Sequence, residues 1–243
     1  MRVLVVGGSG YVGNLVVPRL AEHHLVRVLD PRPPDAAVEH LAGSALDYDA
    51  LAAGLVGMDA VIHAAMGSHD WDTPAGAADN LSVNVTSVHL TLLAAHRAGV
   101  PHAVHVSSMS VYQDLMERRL SDESVPPDAT DPYGLSKRLG EEVCRAAVAQ
   151  WGLSVNILRL TWPTPDELWP AWGALGGSER LLAADGTPVD ATAASDLAQA
   201  LLAALEHRDG LQVFTISGDR SAKLWSVERA RRTLGWEPTF PRG

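Results

Sequence analysis

Tyr133 and Lys137 stand four residues apart in the run Asp131-Pro132-Tyr133-Gly134-Leu135-Ser136-Lys137, in a chain with seventeen arginines and one other lysine, Lys223. Arginine carries nearly all the positive charge, so a lysine beside a titratable phenol is a marked choice. On a helix, positions four apart share one face. An ammonium there favours the phenolate and lowers the phenol's pKa. The chemistry on offer is proton transfer by a general acid/base.

A second motif supplies a place for a partner. Gly7-Gly8-Ser9-Gly10-Tyr11-Val12-Gly13 follows a short β-branched run and opens a helical pattern. Gly7 allows a tight turn, Gly10 lets backbone amides approach a pyrophosphate, and Gly13 allows close helix packing. Tyr11 and Val12 begin the helix whose free N–H groups favour phosphate. Asp30, twenty residues beyond Gly10, ends the next apolar run, where a carboxylate accepts from ribose hydroxyls. That favours NAD over NADP, while Arg32 leaves NADP open.

These residues need a scaffold, and the periodicity provides one. Strands are predicted at 2–6, 25–29, 40–43, 60–64, 102–107, 154–160 and 211–216. Helices are predicted at 12–23, 48–55, 77–98, 131–151, 195–206 and 225–234, with Pro18 kinking the first and Ser195 capping the fifth. The alternation indicates an α/β fold, a Rossmann-type doubly wound parallel sheet. The stretch 113–132 reads as a surface loop beside the site. Residues 1–160 read as the NAD-binding domain. Residues 161–243 read as the last sheet elements interleaved with a small C-terminal substrate cap, which carries five of the seven tryptophans.

Composition narrows the partners. A formal charge of −10 argues against nucleic acid and anionic membranes. A single cysteine, Cys144, fits a reducing compartment and reads as an apolar filler. The N-terminal apolar run is too short for a signal peptide and no stretch reaches membrane-spanning length, so a cytoplasmic location is expected.

With the glycine loop, the run His105-Val106-Ser107-Ser108-Met109-Ser110-Val111-Tyr112, and Tyr133 with Lys137, nearly the whole chain resembles the extended short-chain dehydrogenase/reductases, the NAD-dependent epimerase/dehydratase family. His63-Ala64-Ala65 resembles the strand-4 motif beside the cofactor, and Ser82-Val83-Asn84-Val85 the helix motif with a structural asparagine. Leu46-Asp47 resembles the adenine-contacting end of strand 3. Leu158-Arg159-Leu160 matches the family's Leu-Arg-Pro in two positions. Val189-Asp190 through Asp196-Leu197-Ala198 and Leu234-Gly235-Trp236-Glu237-Pro238 resemble its C-terminal signatures.

The resemblance implies that Tyr133 is the acid/base, that Lys137 binds the nicotinamide ribose and lowers the Tyr133 pKa, and that Ser108 bonds the reacting oxygen, with Ser107 and Ser110 as competitors. It implies cofactor contacts from Gly7, Gly10, Tyr11, Val12, Gly13, Asp30, Arg32, Asp47, Ala64, Ala65, Asn84, Tyr133 and Lys137, and a homodimer formed through the helices at 77–98 and 131–151. Met109-Ser110 stand where the family's dehydratases carry an acidic pair, which argues against dehydration. The short region after Leu160 is similar to uronate dehydrogenases.

Ser68, His69, Thr161 and Trp162 are further candidates for substrate contact. The tryptophans at 162, 169 and 172 are either a sugar-stacking surface or the packing of the cap. Ten histidines form no metal-ligand spacing, so no metal is expected. The reading is an NAD-dependent oxidoreductase acting on a hydroxyl carbon of a small sugar or sugar acid. The alternatives are an epimerase that oxidises transiently and a non-catalytic cofactor-binding regulator.

Overall fold

The computed structural model describes residues 1–120, 122–173 and 178–241. Its strands, in chain order, are β1 (Arg2–Val6), β2 (Leu25–Asp30), β3 (Glu39–Ala42), β4 (Ala60–His63), β5 (His102–Ser108), β6 (Ser154–Leu160), four two-residue strands β7 (Pro163–Thr164), β8 (Leu181–Leu182), β9 (Pro188–Val189) and β10 (Thr192–Ala193), and β11 (Leu211–Ile216). The helices are α1 (Tyr11–Ala21), α2 (Tyr48–Leu55), α3 (Pro74–Leu81), α4 (Ser87–Ala98), α5 (Pro132–Trp151), α6 (Ala194–Glu206) and α7 (Glu228–Leu234). Seven strands form one sheet in the order β11-β6-β5-β4-β1-β2-β3, every neighbouring pair parallel.

Side-chain alternation along these strands builds two cores. Val3, Val5, Ile62, Val104, Val106 and Leu158 pack against α1 and α6 on one face. Leu4, Val6, Val61, Ala103, Val155 and Ile157 pack against α2, α4 and α5 on the other. A strand covered on both faces must be apolar at successive positions, which is why β1 reads as an unbroken aliphatic run. Cys144 is one of the fillers of the second core. Among the described residues, no helix is long and apolar enough to cross a membrane.

Strand order reverses between β1 and β4, the switch point at whose carboxyl ends doubly wound sheets bind ligands. A third cluster lies over that edge. Met109, Val111, Tyr112 and Leu120 from the chain after β5 pack with Leu181, Val189, Ala191, Leu224 and Trp225.

Several elements differ from expectation. The predicted helix 77–98 begins at Pro74, capped by Thr73, and is interrupted by a π turn over Ser82–Thr86. The predicted helix 225–234 starts only at Glu228, because Trp225 is buried in the third cluster and its backbone region bridges Leu120. The α6 cap is Ala193, not Ser195, and the Ser195 hydroxyl has no partner. Asp166, from the chain after β7, accepts the Ser195 amide at 2.9 Å instead. Its other oxygen binds Arg19 of α1 at 2.8 Å, so one carboxylate joins two helices across the edge of the sheet. Pro18 lies inside α1 without ending it.

Candidate active site

The glycine loop closes the switch point. Gly7 has φ 83°, and a Cβ there would stand 2.4 Å from Ala65 Cα at the end of β4. Only glycine meets both demands. A Cβ on Gly13 would stand 2.3 Å from the Gly8 carbonyl oxygen, so α1 is pressed against its own loop. Gly10 meets only the Gly7 carbonyl, at 3.3 Å, and its outer side is open. That open cradle at a helix N-terminus fits a pyrophosphate.

Asp30 is buried at the carboxyl end of β2 and accepts from the Ser9 amide at 3.2 Å and the Arg32 amide at 3.0 Å. Each bond takes one carboxylate oxygen, so lone pairs remain for a ribose diol. The Arg32 guanidinium bonds the Ser9 carbonyl at 3.3 Å and lies 3.9 Å from Asp30. The Tyr11 hydroxyl faces the carbonyls of Pro163 at 2.8 Å and Gly173 at 2.9 Å, tying the loop to the chain beyond β6. Burial pushes its pKa up to about 12, so it stays a donor. Asp47 lies five residues beyond the end of β3 and caps α2, accepting from the amides of Asp49 and Ala50. Ala64 and Ala65 follow β4, and the Ala64 amide donates to the Val6 carbonyl.

Two elements carry the reacting groups. α5 starts at an Asp-Pro pair, with Asp131 Oδ1 accepting the Gly134 amide at 2.9 Å. Its first turns point Tyr133 and Lys137 at the carboxyl end of β5. Lys137 is buried, donates to the Val106 carbonyl at 2.7 Å, and has its pKa lowered to about 8 by burial, with Glu141 opposing. Tyr133 is half-buried. Its pKa is raised by burial, against the pull of the neighbouring Ser108 hydroxyl and with Asp131 adding to the rise. The lowering expected from Lys137 is not seen, and burial dominates.

Of the three serines, Ser107 donates to Glu141 at 2.7 Å and is committed inward. Ser108 ends β5, accepts the Ser110 amide at 3.0 Å, and is the serine that acts on Tyr133. Asn84 sits in the π turn, where Oδ1 accepts the Gly67 amide at 3.1 Å and Nδ2 donates to Ser136 Oγ at 2.9 Å. Ser136 in turn donates to the Tyr133 carbonyl at 2.7 Å. The π turn thus aims one side chain to join the loop after β4 to the first turn of α5. Both polar ends of Asn84 are spent on the protein, which makes it a positioning residue.

The remaining candidates divide. Ser68 holds its loop through its amide to Asp79 at 2.7 Å and its hydroxyl to the Asp70 amide at 3.0 Å. His69 is exposed, with Trp71 edge-on at 5.8 Å. Thr161 is buried and pairs with the Thr192 hydroxyl at 3.0 Å, so it faces the protein rather than the site. Trp162 has φ 34°, a left-handed backbone unusual for a bulky residue, and its ring lies 5.5 Å from Trp225. Trp169 packs edge-on against Phe240, and Trp172 packs on the third cluster.

Sequence reasoning missed two features. Trp71 lies with its ring centroid 5.0 Å from that of Tyr133, a contact without local spacing to announce it. Glu141, one turn beyond Lys137, is buried and grips Arg159 of the Leu-Arg-Leu motif at 2.9 and 2.6 Å, while Arg159 reaches the Tyr112 hydroxyl. Four residues after Lys137 and in the middle of β6, those charges had to find each other once both were buried. Beneath Lys137, His63 and His105 sit at the same register on β4 and β5 with rings 5.3 Å apart. Burial and the Lys137 charge hold both neutral, His63 near pKa 3. Among the described residues, no group of three His, Cys, Asp or Glu side chains is placed to hold a metal ion.

The chain is 33% identical over 162 residues to the uncharacterized protein y4nG of Sinorhizobium fredii, covering 64% of this chain and 39% of that one. It is 30% identical over 181 residues to a dTDP-glucose 4,6-dehydratase of Streptomyces niveus, covering 66% and 53%. The chain therefore spans about half the length of these curated relatives or less. A short-chain dehydrogenase/reductase superfamily protein from Agrobacterium tumefaciens, solved with bound NAD, superposes with a TM-score of 0.81 at 25% identity, covering 98% of this chain and 92% of that one. The NAD dependent epimerase/dehydratase family profile matches residues 3–217, and the chain belongs to that family of short-chain dehydrogenase/reductase enzymes.

Proposed function

We propose that the chain binds NAD and transfers hydride to or from a hydroxyl-bearing carbon of a small sugar-like substrate, with Tyr133 as the acid/base. The observation that carries this is the convergence of Ser108, Tyr133 and Lys137 at the carboxyl end of β5, one strand from the Gly7–Ala65 contact at the switch point. NAD, when bound, accepts or returns the hydride. In the oxidative direction, phenolate Tyr133 takes the proton of the substrate hydroxyl while Ser108 holds that oxygen. Lys137, protonated below about pH 8, keeps a positive charge beneath the site. With the cofactor bound, Lys137 would hold its ribose and there favour phenolate. Asn84 and Ser136 fix the turn that carries Tyr133.

Met109 is buried and Ser110 half-buried directly after Ser108, so no carboxylate stands there to drive dehydration. The Tyr11 tether to Pro163 and Gly173 supports a second reading, an epimerase that retains its cofactor while the hydride goes out and returns. The test incubates purified protein with NAD and a panel of aldoses and uronic acids. Accumulating NADH supports the dehydrogenase. Co-purified NAD with sugar interconversion and no net NADH supports the epimerase. NAD binding without any turnover would leave only a cofactor-binding regulator.

A further inference from the structure

The loop between β4 and α3 lies beside Tyr133. Trp71 lies against the Tyr133 ring at 5.0 Å with the planes tilted by 49°, and His69 meets Trp71 edge-on. The same loop carries Asp70 and Asp72, both exposed, and Asp131 stands two residues before Tyr133. From Pro33 to His96 the chain has no lysine or arginine, so this loop has aromatic surface and negative charge but no cation.

On the opposite side Lys137 is buried and donates to the Val106 carbonyl, and the other described cations, Arg119 apart, are held elsewhere. Arg159 is fully buried and held by both oxygens of Glu141. Arg138, next to Lys137, donates to the Ala129 carbonyl, and Arg118 pairs with Asp128. In the cap, Arg180 binds Asp190 and Lys223 binds Asp185. Arg119 is the exposed cation left on that loop. A substrate carboxylate or phosphate beside Tyr133 would need a converging cation or a helix N-terminus such as the one the glycine loop offers the cofactor, and the Trp71 loop carries no cation. An aromatic face beside a proton-transfer group instead suits the C–H face of an uncharged ring.

We propose that the space over Tyr133 takes a neutral hydroxylated substrate, a free aldose or cyclic polyol stacked on Trp71, and discriminates against uronates and nucleotide-linked sugars. This rests on the oxidoreductase reading above. For an aldose the step balances as follows: the anomeric C–H leaves as hydride with its electron pair to NAD, the anomeric O–H proton passes to Tyr133, and the C=O bond of the lactone forms, giving NADH.

The experiment compares kcat/KM for D-glucose with D-glucuronate, D-galactose with D-galacturonate, and UDP-glucose, each with NAD, in the wild-type chain, Trp71→Ala, Trp71→Phe and Arg119→Ala. The neutral sugar is expected to exceed its uronate at least tenfold. The gap should narrow as salt is raised, because the aspartates are exposed and screened within about 8 Å at physiological ionic strength. Trp71→Ala should raise KM for the neutral sugar about tenfold, at order-of-magnitude level for a lost aromatic contact. Trp71→Phe should raise KM less than Trp71→Ala does, and Arg119→Ala should not change the ranking. Preference for a uronate or UDP-glucose, or an unchanged KM in Trp71→Ala, overturns the neutral-substrate proposal while the oxidoreductase reading stands. NADH from none of the panel, with NAD bound, overturns both.

Discussion

Arg159→Met tests how the third apolar cluster is fastened to the sheet through Tyr112. Arg159 is fully buried on β6, bonded at 2.9 and 2.6 Å to Glu141 of α5, and its guanidinium also lies over the Tyr112 ring at 5.1 Å. Burial opposes the Arg159 charge, and the Glu141 carboxylate more than offsets it. Removing one partner leaves Glu141 buried without its counter-charge, at a cost of about 3–5 kcal/mol. For a domain of this size each kcal/mol lowers Tm by about 2–4 °C, so a drop of about 6–20 °C is expected. Tyr112 also loses its donor while keeping the Val125 carbonyl at 2.9 Å, so the 113–131 loop should become easier to cleave. The double variant Arg159→Met/Glu141→Leu removes both charges and should recover most of the lost Tm. The assay is thermal unfolding of all three chains with limited proteolysis in parallel. A drop below about 2 °C for the single variant, or a double variant no better than the single, would refute the reasoning.

Two further predictions concern pH. Lys137 titrates near 8 in the fold against 10.5 when free, so the unfolded chain holds that proton more tightly. Its burial penalty is full below pH 8 and fades by about pH 10.5. Lys137→Met should therefore gain about 2–3 kcal/mol at pH 7 and under about 1 kcal/mol at pH 10 in denaturant titrations, while losing turnover. Equal gains at both pH values would contradict it. His63 and His105 have folded pKa values far below the unfolded value, and His102 is lowered as well. The unfolded chain takes up these protons first, so the stability present above pH 6.5 is lost as pH falls. His63 alone costs about 1.4 kcal/mol per pH unit from 6.5 down to about 3, and His105 and His102 act in the same direction. His105→Leu should flatten the acid limb between pH 7 and 5 in urea melts, and an unchanged limb would count against it.

Most of the sheet was legible because each strand is a short aliphatic run bounded by glycine, proline or charge. β1, β6 and β11 lie where periodicity put them. What escaped depended on contacts far apart in sequence. Trp225 reads as helical by spacing, yet it is buried in the third cluster, outside α7. Ser195 has the right residue type for a cap, but Asp166 reaches the amide first from 29 residues away. The π turn at Ser82–Thr86 leaves the apolar spacing of a helix intact, so only Asn84 hinted at it. At the site, local motifs pointed to the glycine loop, Ser108, Tyr133 and Lys137, which the fold brings to the carboxyl edge of the sheet. Trp71 was invisible because nothing in its neighbourhood says which ring it will meet. Thr161 is buried with its hydroxyl on Thr192, a pairing 31 residues apart that no local pattern announces.

The central claim is that Tyr133 moves the proton while NAD takes the hydride. The direct measurement is NADH formation by Tyr133→Phe with a turned-over sugar, alongside its affinity for NAD. The account predicts NAD binding within about threefold of wild type and a rate reduced by about 10²–10⁴, the usual worth of a general acid/base. NADH formation at the wild-type rate would contradict it.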